Sequence, residues 1–180
     1  MKRRRKQREV WYMEMRTAKQ VPIFVQPLIA DKLASGLKWS CEHRGLRIYD
    51  YAILPDRVLL IGNTAWGNLV DVLDSFMKFS SKAVLLMLKN GNPNLHTDWM
   101  ISLMADSNPK GRPEGPGIWQ SEMISRYLIS QDDIDYASQR IKRVPVDMGW
   151  VVKPEHYRQS SASPDNPLEG WIVDALDPWS

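Results

Sequence analysis

The stretch Tyr51-Ala-Ile-Leu-Pro-Asp-Arg-Val-Leu-Leu-Ile61 sets two runs of strand-forming residues on either side of Pro55-Asp56. Proline presets the backbone for a tight turn, and aspartate bonds back to nearby amides. The segments Leu46 to Leu54 and Arg57 to Ile61 therefore read as a hairpin. Upstream, Val10 to Arg16 is rich in strand formers and sets Trp11, Met13 and Met15 on one face, which predicts a first strand buried on that side. Between them Phe24, Val25, Leu28, Ile29, Leu33, Leu37 and Cys41 recur at helical spacing, with Pro27 tolerable in a first turn and Gly45 as the stop.

Downstream of the hairpin, Leu69, Val72, Leu73, Phe76, Met77, Ala83, Val84 and Met87 predict a long amphipathic helix ended by Asn90-Gly91-Asn92-Pro93. Residues 90 to 117 are dense in Asn, Pro and Gly, with one short helix over Asp98 to Ala105. Ile118 to Met123 is expected as the fourth strand. Ser130-Gln131-Asp132-Asp133 resembles a capping box that opens a helix with Ile134, Ala137, Ile141 and Val144 on one side, closed by Pro145. The order strand, helix, strand, strand, helix, strand, helix predicts an α+β fold: a ferredoxin-like split βαβ antiparallel sheet with helices on one face.

The 180 residues are 43% hydrophobic and 25% charged, enough for one ordinary core. No apolar run approaches the roughly 20 residues of a membrane helix, and no signal-length apolar stretch follows the N-terminus, so the expectation is a cytoplasmic protein with no membrane partner. The lone Cys41 cannot form an internal disulfide and is expected to be buried in its helix. The net charge of +3 is unevenly placed, because Lys2, Arg3, Arg4, Arg5, Lys6 and Arg8 all precede Glu9. The sequence thus reads as a basic disordered arm (1–9), an α+β domain (10–162) and a C-terminal tail (163–180) that carries Trp171 and Trp179. The arm suits sequence-blind neutralisation of phosphates, or else a solvated terminus; the body is slightly acidic.

Residues 51–61 resemble the strand-turn-strand signature of the REP-associated tyrosine transposases, Met-Pro-Asn-His-hydrophobic-His-Leu-Leu, with Pro55, Val58, Leu60 and Ile61 matching. Tyr12-Met-Glu-Met-Arg-Thr17 resembles that family's first strand, Phe76-Met-Lys-Phe-Ser80 its long helix, and Gly117-Ile-Trp-Gln120 the opening of its fourth strand. Arg140-Ile-Lys-Arg-Val-Pro-Val-Asp-Met-Gly-Trp-Val151 is similar to Tyr-Ile-x-x-Asn-Pro-Val-x-Ala-Gly-Leu-Val, and Tyr157-Arg-Gln-Ser-Ser161 to the Tyr-x-x-Ser-Ser that follows. The resemblance implies a metal-assisted single-strand DNA transposase fold, in which two histidines and a helix amide hold Mg or Mn and a tyrosine attacks phosphorus. It also implies a homodimer, with each site built from the strand motif of one subunit and the helix of the other.

The departures fall on the chemistry. The two histidine positions are Arg57 and Leu59, the nucleophile position is Arg140, and the amide position is Val144. Leucine and valine have no lone pair to offer, and arginine stays protonated, so these positions offer no metal site and the expectation is a chain that needs no cofactor. Tyr136, one helical turn before Arg140, is the residue a relocated nucleophile would use. The two arginines suit phosphate, which makes Arg57 and Arg140 candidate DNA-binding residues beside the basic arm, or else solvated surface arginines. Tyr49, Tyr51 and Trp66 are aromatic groups for stacking, core packing or a dimer seam.

The leading expectation is therefore a catalytically inactive, transposase-like protein that binds DNA, including single-stranded hairpins. Two alternatives stand beside it. One is an active nuclease whose metal is held by Asp50 or Asp56; the other is a protein-interaction module that no longer binds DNA.

Overall fold

Alternation along Val10–Arg16 turns Met13 and Met15 to one side and Tyr12, Glu14 and Arg16 to the other, as a strand's period of two requires. A computed structural model describes residues 9–90, 97–105 and 117–173. This strand, β1 (Val10–Arg16), leads to α1 (Pro27–Arg44) and the hairpin β2 (Leu46–Leu54) and β3 (Arg57–Thr64). Then follow α2 (Leu69–Lys89), a short α3 (Asp98–Ala105), β4 (Ile124–Leu128) and α4 (Gln131–Asp147). The four strands form one antiparallel sheet in the order β2-β3-β1-β4. The α+β class expected from the sequence is what forms.

Local chemistry explains the boundaries. Pro27 sits in the first turn of α1, and Gly45 ends it in the left-handed region at φ 72°, where its amide bonds to the Ser40 carbonyl. A side chain on Gly45 would sit 2.8 Å from the Trp66 ring, so the stop is also a packing site. Asn68 caps α2 by accepting from the Val70 amide at 2.9 Å. In α4, Ser130 Oγ accepts from the Asp133 amide while the Asp133 carboxylate accepts from the Ser130 amide, so the capping box is complete. Those bonds hold the Asp133 carboxyl below its ordinary range, the Ser130 interactions first. The ladder between β2 and β3 carries a bulge between Ile48 and Asp50, and opposite it a side chain on Gly62 would lie 2.2 Å from the Arg47 carbonyl oxygen.

Four expectations are corrected. Helices cover both faces, not one: α1 and α2 pack on Met13, Met15, Ile53, Val58 and Leu60, whereas α4 lays Ile134, Ala137 and Ile141 on Val10, Leu59, Ile61 and Leu128. Central strands with apolar residues at successive positions, such as Val58 to Ile61, require a cover on each side. The fourth strand is Ile124–Leu128 and not Ile118–Met123. Residues 118 to 120 add only the single bridge Thr17↔Trp119, because Ile118 is fully buried and Trp119 turns inward against Phe24, donating its indole N–H to Ser80 Oγ at 2.9 Å. Pro145 lies within α4, which continues to Asp147. Its missing amide costs a bond only near the end, and Met148 closes the helix onto the Val144 carbonyl at 2.9 Å.

The last correction concerns the tail expected from residue 163. Leu168 is fully buried in the core beneath α1, the Tyr51 hydroxyl donates to Asn166 Oδ1 at 3.1 Å, and Ile172 bridges to Ile48. Residues 159 to 173 run along the otherwise open edge of β2, where Ile53 N–H donates to the Gln159 carbonyl and Val173 N–H to the Ile48 carbonyl, both at 2.8 Å. An edge strand with unpaired amides needs such a cover. The basic arm and Trp179 lie outside the described residues, as does most of the stretch between 90 and 117. Among the described residues no helix is long and apolar enough to cross a membrane.

Candidate functional site

The ladder between β1 and β3 sets Glu14 opposite Leu59 and Arg16 opposite Arg57, all four on the sheet face that α4 crosses. Near its C-terminal end α4 presents Arg140 and Val144, four residues apart and therefore on one side of the helix. Together with Tyr12, the Pro55-Asp56 turn, Met148 and Trp150 they line one cleft of about 490 Å³. The four positions singled out in the sequence, Arg57, Leu59, Arg140 and Val144, thus converge. Sheet and helix contributions come from the same chain, where the resemblance implied two subunits.

Arg57 is not free in this cleft. Its Nη1 donates to Glu14 Oε1 at 2.9 Å, while Nε and Nη2 fork onto Asp56 Oδ1 and Oδ2 at 3.0 and 2.8 Å. The hydrogen bonds to Asp56, ahead of the charges of Asp56 and Glu14, raise its pKa further and keep it a cation. Arg16 Nε donates to the same Glu14 oxygen at 2.6 Å. Arg140 differs: it is exposed, its guanidinium lies 5.9 Å from the Tyr136 ring, and it makes no ion pair with a carboxylate among the described residues. Three guanidiniums thus share the cleft with two carboxylates, leaving one positive charge in excess at the lip.

The chemistry available follows from these partners. Leu59 and Val144 offer no donor atom, and Arg57 is a cation gripped by two carboxylates, so the positions to which the resemblance assigns metal ligands do not suit a divalent metal. Among the described residues no group of three His, Cys, Asp or Glu side chains gathers as metal ligands. Asp56 is committed to Arg57, and Asp50 pairs with Lys142 Nζ at 3.1 Å and accepts from Ser161 Oγ at 2.8 Å, outside the cleft lining. The relocated nucleophile does not line the cleft either: Tyr136 is exposed one turn before Arg140 on α4, its ring 5.9 Å from that guanidinium. The tyrosine that does line it, Tyr12, donates to Glu14 Oε2 at 3.3 Å. Burial first and the Glu14 charge second push it up to about 12, so it stays a neutral phenol at physiological pH.

The remaining singled-out residues are placed elsewhere. Tyr49 and Tyr51 are buried in the two cores, and Trp66 is exposed over Gly45 at the far end of the hairpin from the cleft. Cys41 is half-buried in α1, its thiol pushed up to about 12 by burial. Sequence reasoning missed Tyr12, Glu14, Arg16 and Trp150 as cleft residues. For the first three a signal existed: if Trp11, Met13 and Met15 face one core, period two sends Tyr12, Glu14 and Arg16 to the face that carries Arg57 and Leu59.

Comparison with solved structures places this architecture. The chain shares its fold with a REP-associated tyrosine transposase solved bound to a REP hairpin: 14% sequence identity, 96% of this chain and 87% of that one covered, TM-score 0.60. That protein belongs to the family that the sequence fragments resemble. A candidate transposase from Deinococcus radiodurans R1 aligns over 79% of this chain and 97% of its own length at 17% identity, with a TM-score of 0.48. No protein-family model matches the sequence, and no curated protein matches it.

Proposed function

We propose that this chain is a transposase-like DNA-binding protein whose cleft grips a single strand, including hairpin-forming DNA, without cutting it. One observation supports the reading: Arg57, Leu59, Arg140 and Val144, the positions to which the resemblance assigns the metal ligands and the nucleophile, line one cleft, and none of these four side chains can ligate a divalent metal or attack phosphorus. The shared fold with a transposase bound to a hairpin supports DNA as the partner. The excess charge at Arg140 supports phosphate as the contacted group, with Lys2, Arg3, Arg4, Arg5, Lys6 and Arg8 as an arm that adds sequence-blind affinity. Arg57 acts beneath the contact surface, held by Glu14 and Asp56, and orders the floor of the cleft. A homodimer belongs to the same proposal and is read out by sedimentation equilibrium.

The test is a gel-shift titration with a hairpin-forming single strand, a scrambled single strand and a duplex at several salt concentrations. Binding that prefers the hairpin and weakens linearly with the logarithm of salt supports the reading. Equal failure of all three DNAs at low salt contradicts it and leaves protein interaction as the role.

A further inference from the structure

We infer that Trp150 is a stacking platform for one unpaired base, working with Arg140 as the phosphate contact of the same nucleotide; this rests on the DNA-binding reading above. The residue is placed rather than loose. At the end of α4, Gly149 adopts φ 73°, its N–H donates to the Val146 carbonyl at 2.9 Å, and Trp150 N–H reaches back to the Pro145 carbonyl at 3.0 Å. This pair of bonds is the Schellman closure of a helix, and it fixes the direction in which the next side chain leaves.

Behind the indole stands Tyr157, its ring centroid 6.2 Å away with the planes 30° apart. That ring is itself pinned, because the Tyr157 hydroxyl donates to the Ile53 carbonyl oxygen at 2.9 Å. The indole thus has a fixed backing yet remains 42% exposed, and it lines the cleft that Arg140 lines. An exposed tryptophan held this firmly loses little freedom when a second ring covers it, which is what makes an aromatic platform effective.

The chemistry selects the occupant. The lip carries one guanidinium without a carboxylate partner, which asks for a single negative charge, and the adjoining wall is a flat π surface. A nucleotide in a single strand offers both groups together, one phosphodiester charge and one open base face. A duplex offers the charge but keeps its base faces stacked. The neutral phenol of Tyr12 and the Glu14-bound arginines form the floor, so the excess charge and the ring are both at the entrance, where a strand passing over the cleft would meet them.

The experiment is fluorescence anisotropy at low salt with a labelled oligodeoxythymidine, the matched strand with one abasic site, and a duplex, against wild type, Trp150→Ala, Trp150→Phe and Arg140→Ala. Expected results are a roughly tenfold loss of affinity for Trp150→Ala, within what one stacked base contributes, with the salt dependence unchanged. Phenylalanine should restore most of that loss, and Arg140→Ala should lower the salt slope by about one contact. The abasic strand should lose affinity for wild type and lose no more for Trp150→Ala. Equal affinity of wild type and a folded Trp150→Ala protein, or no discrimination by wild type between intact and abasic strands, overturns the platform while leaving DNA binding intact. Failure of wild type to bind any strand overturns both readings.

Discussion

Glu14 sets the charge of the cleft. It is 8% exposed, and its carboxylate takes bonds from Arg16, Arg57 and Tyr12, so two of the three cleft guanidiniums answer to it before they answer to any phosphate. Glu14→Gln keeps the shape and removes that charge. It should leave Arg16 and Arg57 under-paired, steepen the salt dependence of single-strand binding by about one contact, and cost roughly 1–3 kcal/mol of stability. Anisotropy across a salt series and urea unfolding check the two halves; an unchanged slope would mean that Arg57 remains spoken for by Asp56 alone. At this scale the sequence was legible where a motif supplied the register. Arg57, Leu59, Arg140 and Val144 were found because fragments around them resemble a known pattern. Glu14 and Trp150 were not: the alternation of β1 put Glu14 on the face that carries Arg57 but the pattern matched no motif there, and only the closure of α4 brings Trp150 to the cleft.

The elements divide by whether their start and stop are chemical or tertiary. Helix α4 begins with a chemical signal, the Ser130 and Asp133 box, and the expectation matched the structure there. Ser130→Ala should cost about 1 kcal/mol, the usual effect of losing an N-cap oxygen, and lower the thermal midpoint accordingly. Because Arg140 and Val144 are carried on α4, loosening its first turn should leave single-strand affinity nearly unchanged, since the cleft lies at the opposite end. Calorimetry with a parallel binding titration separates these outcomes, and a large loss of binding would show that α4 docks as a unit. Strand β4 was misplaced for a physical reason. Four of its five residues are exposed, so no buried face stamps an alternation on Ile124–Leu128, whereas the apolar Ile118 and Trp119 are consumed as core anchors.

Across the whole molecule, strands β2 and β3 are buried on both faces and the β2 edge is closed by residues 159 to 173. Serine, proline and asparagine in that segment read as a tail in sequence, yet Ser160, Ser163 and Asn166 bond within its turns, and Leu168 is buried in the core with Trp171 and Ile172 packed against it. Leu168→Ala should therefore destabilise the fold by about 2–5 kcal/mol, the range for truncating a buried leucine; a midpoint of urea unfolding equal to wild type would return the segment to the status of a tail. Asp31 ties α1 to the same segment through Gln159 Nε2 at 2.7 Å and Arg158 Nη1 at 2.8 Å. Burial alone would raise its pKa, but those bonds outweigh burial and lower it. A lowered carboxyl pKa contributes stability above the unfolded value of about 3.9 and loses it as pH falls through the folded value. Asp31→Asn should flatten the acid limb of stability below about pH 4 and leave the neutral region's slope unchanged, as urea midpoints across pH would record. The central claim, that the cleft holds a strand and has no means to cut it, is tested most directly by incubating the protein with end-labelled hairpin DNA in Mg²⁺, Mn²⁺ or chelator and resolving the products under denaturing conditions. The predicted result is intact DNA and no covalent adduct in all three, with a retarded complex on the parallel native gel; a metal-dependent cut or a protein-linked strand would contradict it.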